Sequence, residues 1–341
     1  GKWRLPTVMQ AEGAGNWPKP PFAGGELWLW GRNQFGQLGQ GNTTTYSSPV
    51  QVGALTTWMN AACSNYYGML TVTSGGAAWS WGSGASGQLG HNSTTDYSSP
   101  VQIGALTDWS EMSGGFYAPS GATKTDGTLW VWGSGTYGGL GQGNTTGYSS
   151  PVQVGALTTW LQFAAGYYFS TAVKTDGTLW TWGRNNYGQL GQGNTTDISS
   201  PVQVGALTAW QKVSCNYRFS GAVKTDGTLW MWGRNDKGQL GQENTTDYSS
   251  PVQVGALTDW SDLVCGWSFT LAIKTDGTLW GFGNNNVGML GQNNTTNYSS
   301  PVQVGVLTTW LALGAGLYNS AALTTDKTLY TWGQGSDGQT G

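Results

Sequence analysis

Apolar and polar residues alternate in short runs along most of the chain, as at Leu179 to Trp182, Val202 to Val204, Trp210 to Ser214 and Gly221 to Lys224. A period of two marks strands with one buried face, and no segment offers the 3.6-residue period of a helix. These four runs lie inside a unit that recurs. An aromatic-x-aromatic-Gly signal ends at Trp30-Gly31, Trp81-Gly82, Trp132-Gly133, Trp182-Gly183, Trp232-Gly233, Phe282-Gly283 and Trp332-Gly333, so the spacing is 51, 51 and then 50 four times. Four strands in about fifty residues make a propeller blade. The fold class expected is therefore all-β, a β-propeller.

The punctuation of the unit fits strands joined by tight turns. Asp-Gly pairs at Asp126, Asp176, Asp226 and Asp276 supply a positive φ for a hairpin, here expected between the last strand of one unit and the next. Pro151, Pro201 and Pro251 are expected to open a strand, where a missing N–H costs least. Six units are complete between Glu26 and Lys327, and Thr328 to Gly341 begins a seventh. Residues 1–23 hold Leu5, Val8, Met9, Trp17 and Phe22, enough apolar side chains to serve as one or two closing strands or as a docking arm, with residues 24–341 forming the propeller. Because closure removes exposed sheet edges, the sequence predicts seven four-stranded blades with one composite closing blade. A six-bladed ring that leaves the last strand redundant is the alternative.

Composition adds to this picture mainly by exclusion. Charged residues are 9% of the chain and the net charge is -3, with the fourteen Lys and Arg scattered singly, so no basic stripe exists to neutralise phosphates and nucleic acid is not an expected partner. No apolar stretch is long enough to insert in a membrane. The 21 Trp fit best as flat fillers of the wedge between neighbouring blades, with Trp267, Trp3 and Trp17 outside that frame. Cys63, Cys215 and Cys265 each follow a Trp by five residues, where other units carry Gly114, Ala165 and Ala315, and read as small buried fillers.

The string from L-W-x-W-G-x-N through G-Q-L-G-x-G, S-S-P-V-x-V and x-A-V-K-T-D-G resembles the repeat of the regulator of chromosome condensation family over residues 24–341. The resemblance implies a seven-bladed propeller and, among the family's members, an exchange factor for a small nuclear GTPase and secreted inhibitors of β-lactamases. It also implies a His before the Ala-Val strand, where this chain has Phe169, Phe219 and Phe269. The exchange-factor members carry a wedge inserted in one blade. Units of no more than 51 residues leave no room for it.

Candidate chemistry is sparse. The regular carboxylates are the turn Asp residues, one His (His91) occupies a turn, and the three Cys are dispersed, so neither a general acid–base pair nor a zinc set is expected, and no cofactor. N-x-Thr sequons at Asn42, Asn92, Asn144, Asn194, Asn244 and Asn294 read first as turn caps, or as a glycosylated ring of loops in a secreted protein.

Because the frame is nearly invariant from unit to unit, the positions that vary are candidates for a specific surface. One set follows the W-G pair and includes Phe35, Tyr137, Tyr187 and Lys237. The other follows the small residue after the later Trp and includes Tyr67, Tyr117, Tyr168, Tyr217, Arg218, Trp267 and Tyr318. Tyr, Trp and Arg on rigid loop tips suit recognition of protein or surface glycan, the alternative being drift in exposed turns. The sequence thus predicts a non-enzymatic interaction module. Its expected form is a structural or attachment protein of a virus particle, placed on the virion or an extracellular surface with the cytoplasm as the alternative, and with other subunits of a large assembly among its partners. A secreted binder or inhibitor is the second reading and an exchange factor the third.

Overall fold

The computed structural model describes residues 2–4, 11–12, 24–64, 67–115 and 119–340. The described residues form six sheets of four or more strands and one of two strands. Blade 3 shows the pattern: strands Trp160–Ala165, Phe169–Lys174, Leu179–Gly183 and Ile198–Gln203 pair antiparallel in that order. Blades 1, 2, 4 and 5 repeat it over residues 58–102, 109–153, 210–253 and 260–303. Blade 6 takes three strands from Trp310–Ala315, Asn319–Thr324 and Thr328–Gly333, and its fourth is Lys2–Arg4, which pairs antiparallel with Thr328–Gly333. A fifth strand, Ala11–Glu12, runs parallel to Trp58–Ser64 of blade 1. Among the described residues the only helical turn is Thr136–Gly138, and none is long and apolar enough to cross a membrane.

Six complete blades therefore replace the seven expected, as in the alternative count, but the last strand is not redundant because it pairs on both edges. The physical reason is a frame offset. Lys174, Thr175, Asp176, Gly177 and Thr178 turn the chain between the second and third strands of one blade, not between units. Each sequence unit thus supplies the outer two strands of one blade and the inner two of the next. The first unit is split by this offset, leaving Trp28–Gly31 and Tyr46–Gln51 as a separate two-stranded sheet between blades 6 and 1. Prolines also differ from expectation. Pro201 lies inside Ile198–Gln203, but this is an edge strand and the proline falls where the register shifts, so no ladder bond is lost.

The Asp-Gly turn forms because its parts reinforce one another. Oδ1 of Asp176 accepts the Thr178 amide at 2.9 Å and its hydroxyl at 2.6 Å, and that hydroxyl oxygen accepts the Trp180 indole N–H at 2.9 Å. Gly177 has φ +76°, and a Cβ there would stand 2.7 Å from the backbone nitrogen of Ala209. In the last unit Lys327 occupies this position at φ 64°.

Tryptophan plays two distinct parts. Trp81, Trp132, Trp182 and Trp232 are fully buried, and each donates its indole N–H across the blade boundary, to the carbonyls of Gln37, Gln88, Gly139 and Gln189 at 2.8 to 3.0 Å. Trp30 makes the equivalent bond to Gln339 at 3.1 Å and so joins the start of the chain to its end. Each such bond stabilises the ring by about 0.5–1.5 kcal/mol net. Trp58, Trp109, Trp160, Trp210, Trp260 and Trp310 form the second set, buried edge-on against the first, with indole N–H groups that meet no acceptor. Phe169, Phe219 and Phe269 are fully buried. Cys215 and Cys265 are buried fillers as expected, but Cys63 is exposed.

Candidate functional site

A scaffold asparagine fixes the variable tip at Asn33, Asn185, Asn235 and Asn285, where other units carry Gly84, Gly135 and Gly335. In blade 3 the amide group of Asn185, itself fully buried, donates to the Asn194 carbonyl at 3.0 Å and accepts from the Leu190 amide at 2.9 Å, while its backbone N–H reaches Asp197 at 2.7 Å. Asn235 and Asn285 repeat this in blades 4 and 5. The sequon Asn194 serves the same loop: its Oδ1 accepts the Thr196 amide and its Nδ2 donates to Gln192. The turn function expected of these asparagines is therefore met by their hydrogen bonds, and the residues beside them, Asn186 and Tyr187, are free to vary.

The two sets of variable positions lie on one face. Tyr137 of blade 2 meets Tyr168 of blade 3 at 5.5 Å between ring centroids, Tyr168 meets Tyr167 at 4.7 Å, and Tyr167 meets Tyr217 of blade 4 at 5.0 Å. Tyr217 stacks on Trp267 of blade 5 at 3.6 Å with 17° between ring planes. Three guanidiniums run through this ladder. Arg184 lies 4.7 Å from the Tyr137 ring, Arg218 lies 4.4 Å from Tyr217 and 4.9 Å from Tyr187, and Arg234 lies 5.2 Å from Tyr187. Arg218 also donates to the Tyr187 hydroxyl at 2.8 Å. Cation–π contacts of this kind contribute about 0.5–2 kcal/mol each, depending on desolvation, and they hold long side chains in one geometry before any partner arrives. Tyr137 and Tyr168 have φ of 59° and 61°, backbone strain concentrated at the ladder's edge.

Of the eleven candidate residues, Tyr137, Tyr168, Tyr187, Tyr217, Arg218 and Trp267 come together here. Phe35 and Tyr67 form a separate pair at 4.5 Å with Arg32 over Tyr67. Lys237 is exposed and has no ring partner, and Tyr318 stands apart, 37% exposed. Tyr117 lies outside the described residues. Tyr167, Arg184 and Arg234, which fall within the same variable stretches but outside the eleven candidates, also belong to the ladder. One arginine per tip gives no local signal; only the crossing of loops about thirty residues apart reveals it.

The turn carboxylates stay structural. The hydroxyl and then the amide of Thr178 hold Asp176 below the ordinary carboxylate range, and Asp226 and Asp276 are held down in the same way by Thr228 and Thr278. Among the described residues no three His, Cys, Asp or Glu side chains are grouped to hold a metal ion. Among the described residues one ion pair has both partners largely buried: Lys212 with Asp262 at 3.2 Å links the innermost strands of blades 4 and 5, where burial pushes the carboxyl up against the opposing pull of the lysine.

Comparison with known proteins follows the fold. A family model described as RCC1-like domain matches residues 22–261 and 120–341. Human E3 ubiquitin-protein ligase HERC2 is 31% identical over 141 residues, which cover 39% of this chain and 3% of that protein. The mitochondrial RCC1 domain-containing protein RUG3 of Arabidopsis thaliana is 36% identical over 140 residues, covering 39% of this chain and 31% of the relative. The chain thus aligns with less than a third of the length of these relatives. Human WBSCR16 superposes with a TM-score of 0.80 at 20% identity, covering 93% of this chain and 90% of that one. Prp20p of Saccharomyces cerevisiae gives 0.81 at 18% identity, covering 92% and 82%.

Proposed function

This chain belongs to the RCC1-like domain family, and from that membership we propose that it is a non-enzymatic protein-interaction module that binds through the tyrosine–arginine ladder of blades 2 to 5. The observation that carries this reading is the ladder itself: ring contacts run unbroken from Tyr137 to Trp267 on a scaffold whose asparagines are buried. Tyr, Trp and Arg dominate binding energy at protein interfaces, and preordering them lowers the entropy cost of association. The fold neighbour Prp20p has binding properties to Gsp1p and histones and has been crystallised with Kap60, which supports protein as the partner class.

The finer form proposed is a structural or attachment component of a virus particle, at the virion or an extracellular surface. It is supported by the sparse charge and the near-identical repeats of the sequence. Affinity capture from the native source, comparing wild type with a Tyr217→Ala/Arg218→Ala/Trp267→Ala variant, tests the module. Capture of a protein should fall at least tenfold, and unchanged capture of every partner overturns the reading. Stoichiometric co-purification with a particle supports the finer form. Recovery of free chain that binds a glycan array replaces it with a secreted glycan binder, and accelerated nucleotide release from a small GTPase replaces it with an exchange factor. Robust hydrolysis or group transfer lost on substitution of one carboxylate sinks the non-enzyme reading.

A further inference from the structure

The face opposite the ladder has its own repeating chemistry. It carries the Asp-Gly turns, and the segments that lead from each outermost strand to the next innermost one abut those turns: Thr225 donates to the carbonyl of Ala209, and Trp210 donates to that of Gly177. These segments expose a leucine in blade after blade. Leu106, Leu157, Leu207 and Leu257 are 46 to 50% exposed, and Val306 is 89% exposed where other units carry Ala. Asp126, Asp176, Asp226 and Asp276 stand beside them, exposed. In each only Oδ1 is committed to the turn, so Oδ2 is open to a donor. The lysines of this face offset them only in part: each attracts the turn aspartate two residues on, while Lys174 lies against the Trp160 and Trp180 rings, Lys224 against those of Trp210 and Trp230, and Lys124 and Lys274 pair with Asp108 and Asp259.

The ladder face supplies guanidiniums. Arg184 and Arg218 have no carboxylate partner among the described residues, whereas Arg234 pairs with Asp236 at 2.9 Å. Asp197 and Asp247 also reach this side, but they sit at the start of the outermost strands and accept the amides of Asn185 and Asn235. Arg218 spends one N–H on the Tyr187 hydroxyl and its Nε is buried, so a carboxylate meets the remaining outer N–H groups of Arg218 and those of Arg184. One face thus presents arginine with tyrosine and tryptophan at positions that vary between units, the other aspartate with leucine at the fifty-residue period, both over the middle strands of the blades.

We propose that a second copy of this chain occupies the ladder, stacked head to tail so that Arg184 and Arg218 of one copy meet exposed turn aspartates of the next and the leucine ring packs on the aromatic ladder. This rests on the reading of the ladder as an interaction face and names its partner. The contact joins unlike surfaces, so it does not close on itself and extends into columns. A net charge of -3 opposes such stacking only weakly.

Sedimentation velocity between about 1 and about 100 µM tests this. Wild type should form species larger than a monomer with rising concentration, and raising salt from about 0.15 to about 0.5 M should weaken the association at least tenfold. Arg184→Glu/Arg218→Glu and Asp176→Arg/Asp226→Arg should each be monomeric alone, while an equimolar mixture of the two reassociates. Circular dichroism matching wild type and a single cooperative melting transition show that both variants are folded, although the Asp176→Arg/Asp226→Arg variant loses the turn bonds to Thr178 and Thr228 and melts lower. A monomeric wild type at the highest concentration overturns the proposal, as does self-association of the Asp176→Arg/Asp226→Arg variant at wild-type strength, which means that the turn face is not used. If stacking fails while the Tyr217/Arg218/Trp267 variant still loses a captured protein, the interaction module stands and only its partner is changed.

Discussion

Trp210 and Trp232 of blade 4 are both buried, 2% and 0% exposed, yet their indole N–H groups have opposite fates, and replacement of each by Phe should separate them. Either change removes the same atoms and leaves a cavity of roughly 30–40 Å³, which at about 24 cal/mol per Å³ costs about 0.7–1 kcal/mol. Trp232→Phe also deletes the 2.9 Å bond to the Gln189 carbonyl. That carbonyl keeps the Ser220 hydroxyl at 2.9 Å, so the added loss is only the net value of one hydrogen bond, about 1 kcal/mol. Trp210 has no acceptor, so Trp210→Phe removes a buried unsatisfied donor whose desolvation costs about 1–3 kcal/mol. Trp232→Phe should destabilise by about 2 kcal/mol and Trp210→Phe should be neutral or stabilising, a difference of about 2–4 kcal/mol. Urea denaturation with an unchanged m-value measures both. Equal losses within about 0.5 kcal/mol refute the assignment of the two roles. Blade 5 already contains a natural version, since Phe282 occupies the place of Trp232 and the Gln239 carbonyl accepts the Thr270 hydroxyl instead.

Three further outcomes are expected. Lys212→Met strands the buried carboxylate of Asp262 and should cost about 3–5 kcal/mol, while Lys212→Met/Asp262→Leu should recover most of it, read by the same denaturation. Burial holds His91 below its ordinary pKa of 6.5 while its Nε2 lies 2.8 Å from the Ser80 hydroxyl, so its contribution is complete above 6.5 and lost as pH falls below that value; the urea midpoint of wild type should drop between about pH 7 and about pH 5 more than that of His91→Gln. Removing residues 1–4 strips the outer strand from blade 6, and hydrogen exchange at Thr328 to Tyr330 should accelerate while the innermost strand Trp310–Ala315 remains protected.

Much of the fold was legible because one repeat stated it six times. The strands at Leu179, Trp210 and Gly221 fall where alternation placed them, and the interblade Trp follows from its spacing. The blade count was not legible because the loudest local signal, Asp-Gly, marks a hairpin, and nothing local distinguishes a hairpin within a blade from a link between blades. Hydrogen bonding decides that, through Lys174 donating to Thr178. Pro201 misled in the same way, since edge position is a tertiary property. At the site, departure from the repeat exposed the stretch from Arg184 to Tyr187, Tyr217 and Trp267, whereas the contact of Arg184 with Tyr137 and the positive φ of Tyr137 and Tyr168 depend on how loops of successive blades cross.

The offset between sequence unit and blade also governs how such a chain can lengthen or shorten. If residues 178–227 were removed, the first two strands of blade 3 would run through an unaltered Asp-Gly turn into the last two of blade 4, and every remaining sheet would keep its full set of strands. Copying one unit in place would insert a blade by the same logic, with both of its seams already matched. Recombination between near-identical units therefore changes the circumference of the ring without cutting any sheet, and the Trp30 to Gln339 bond remains at the ends to close whatever ring results.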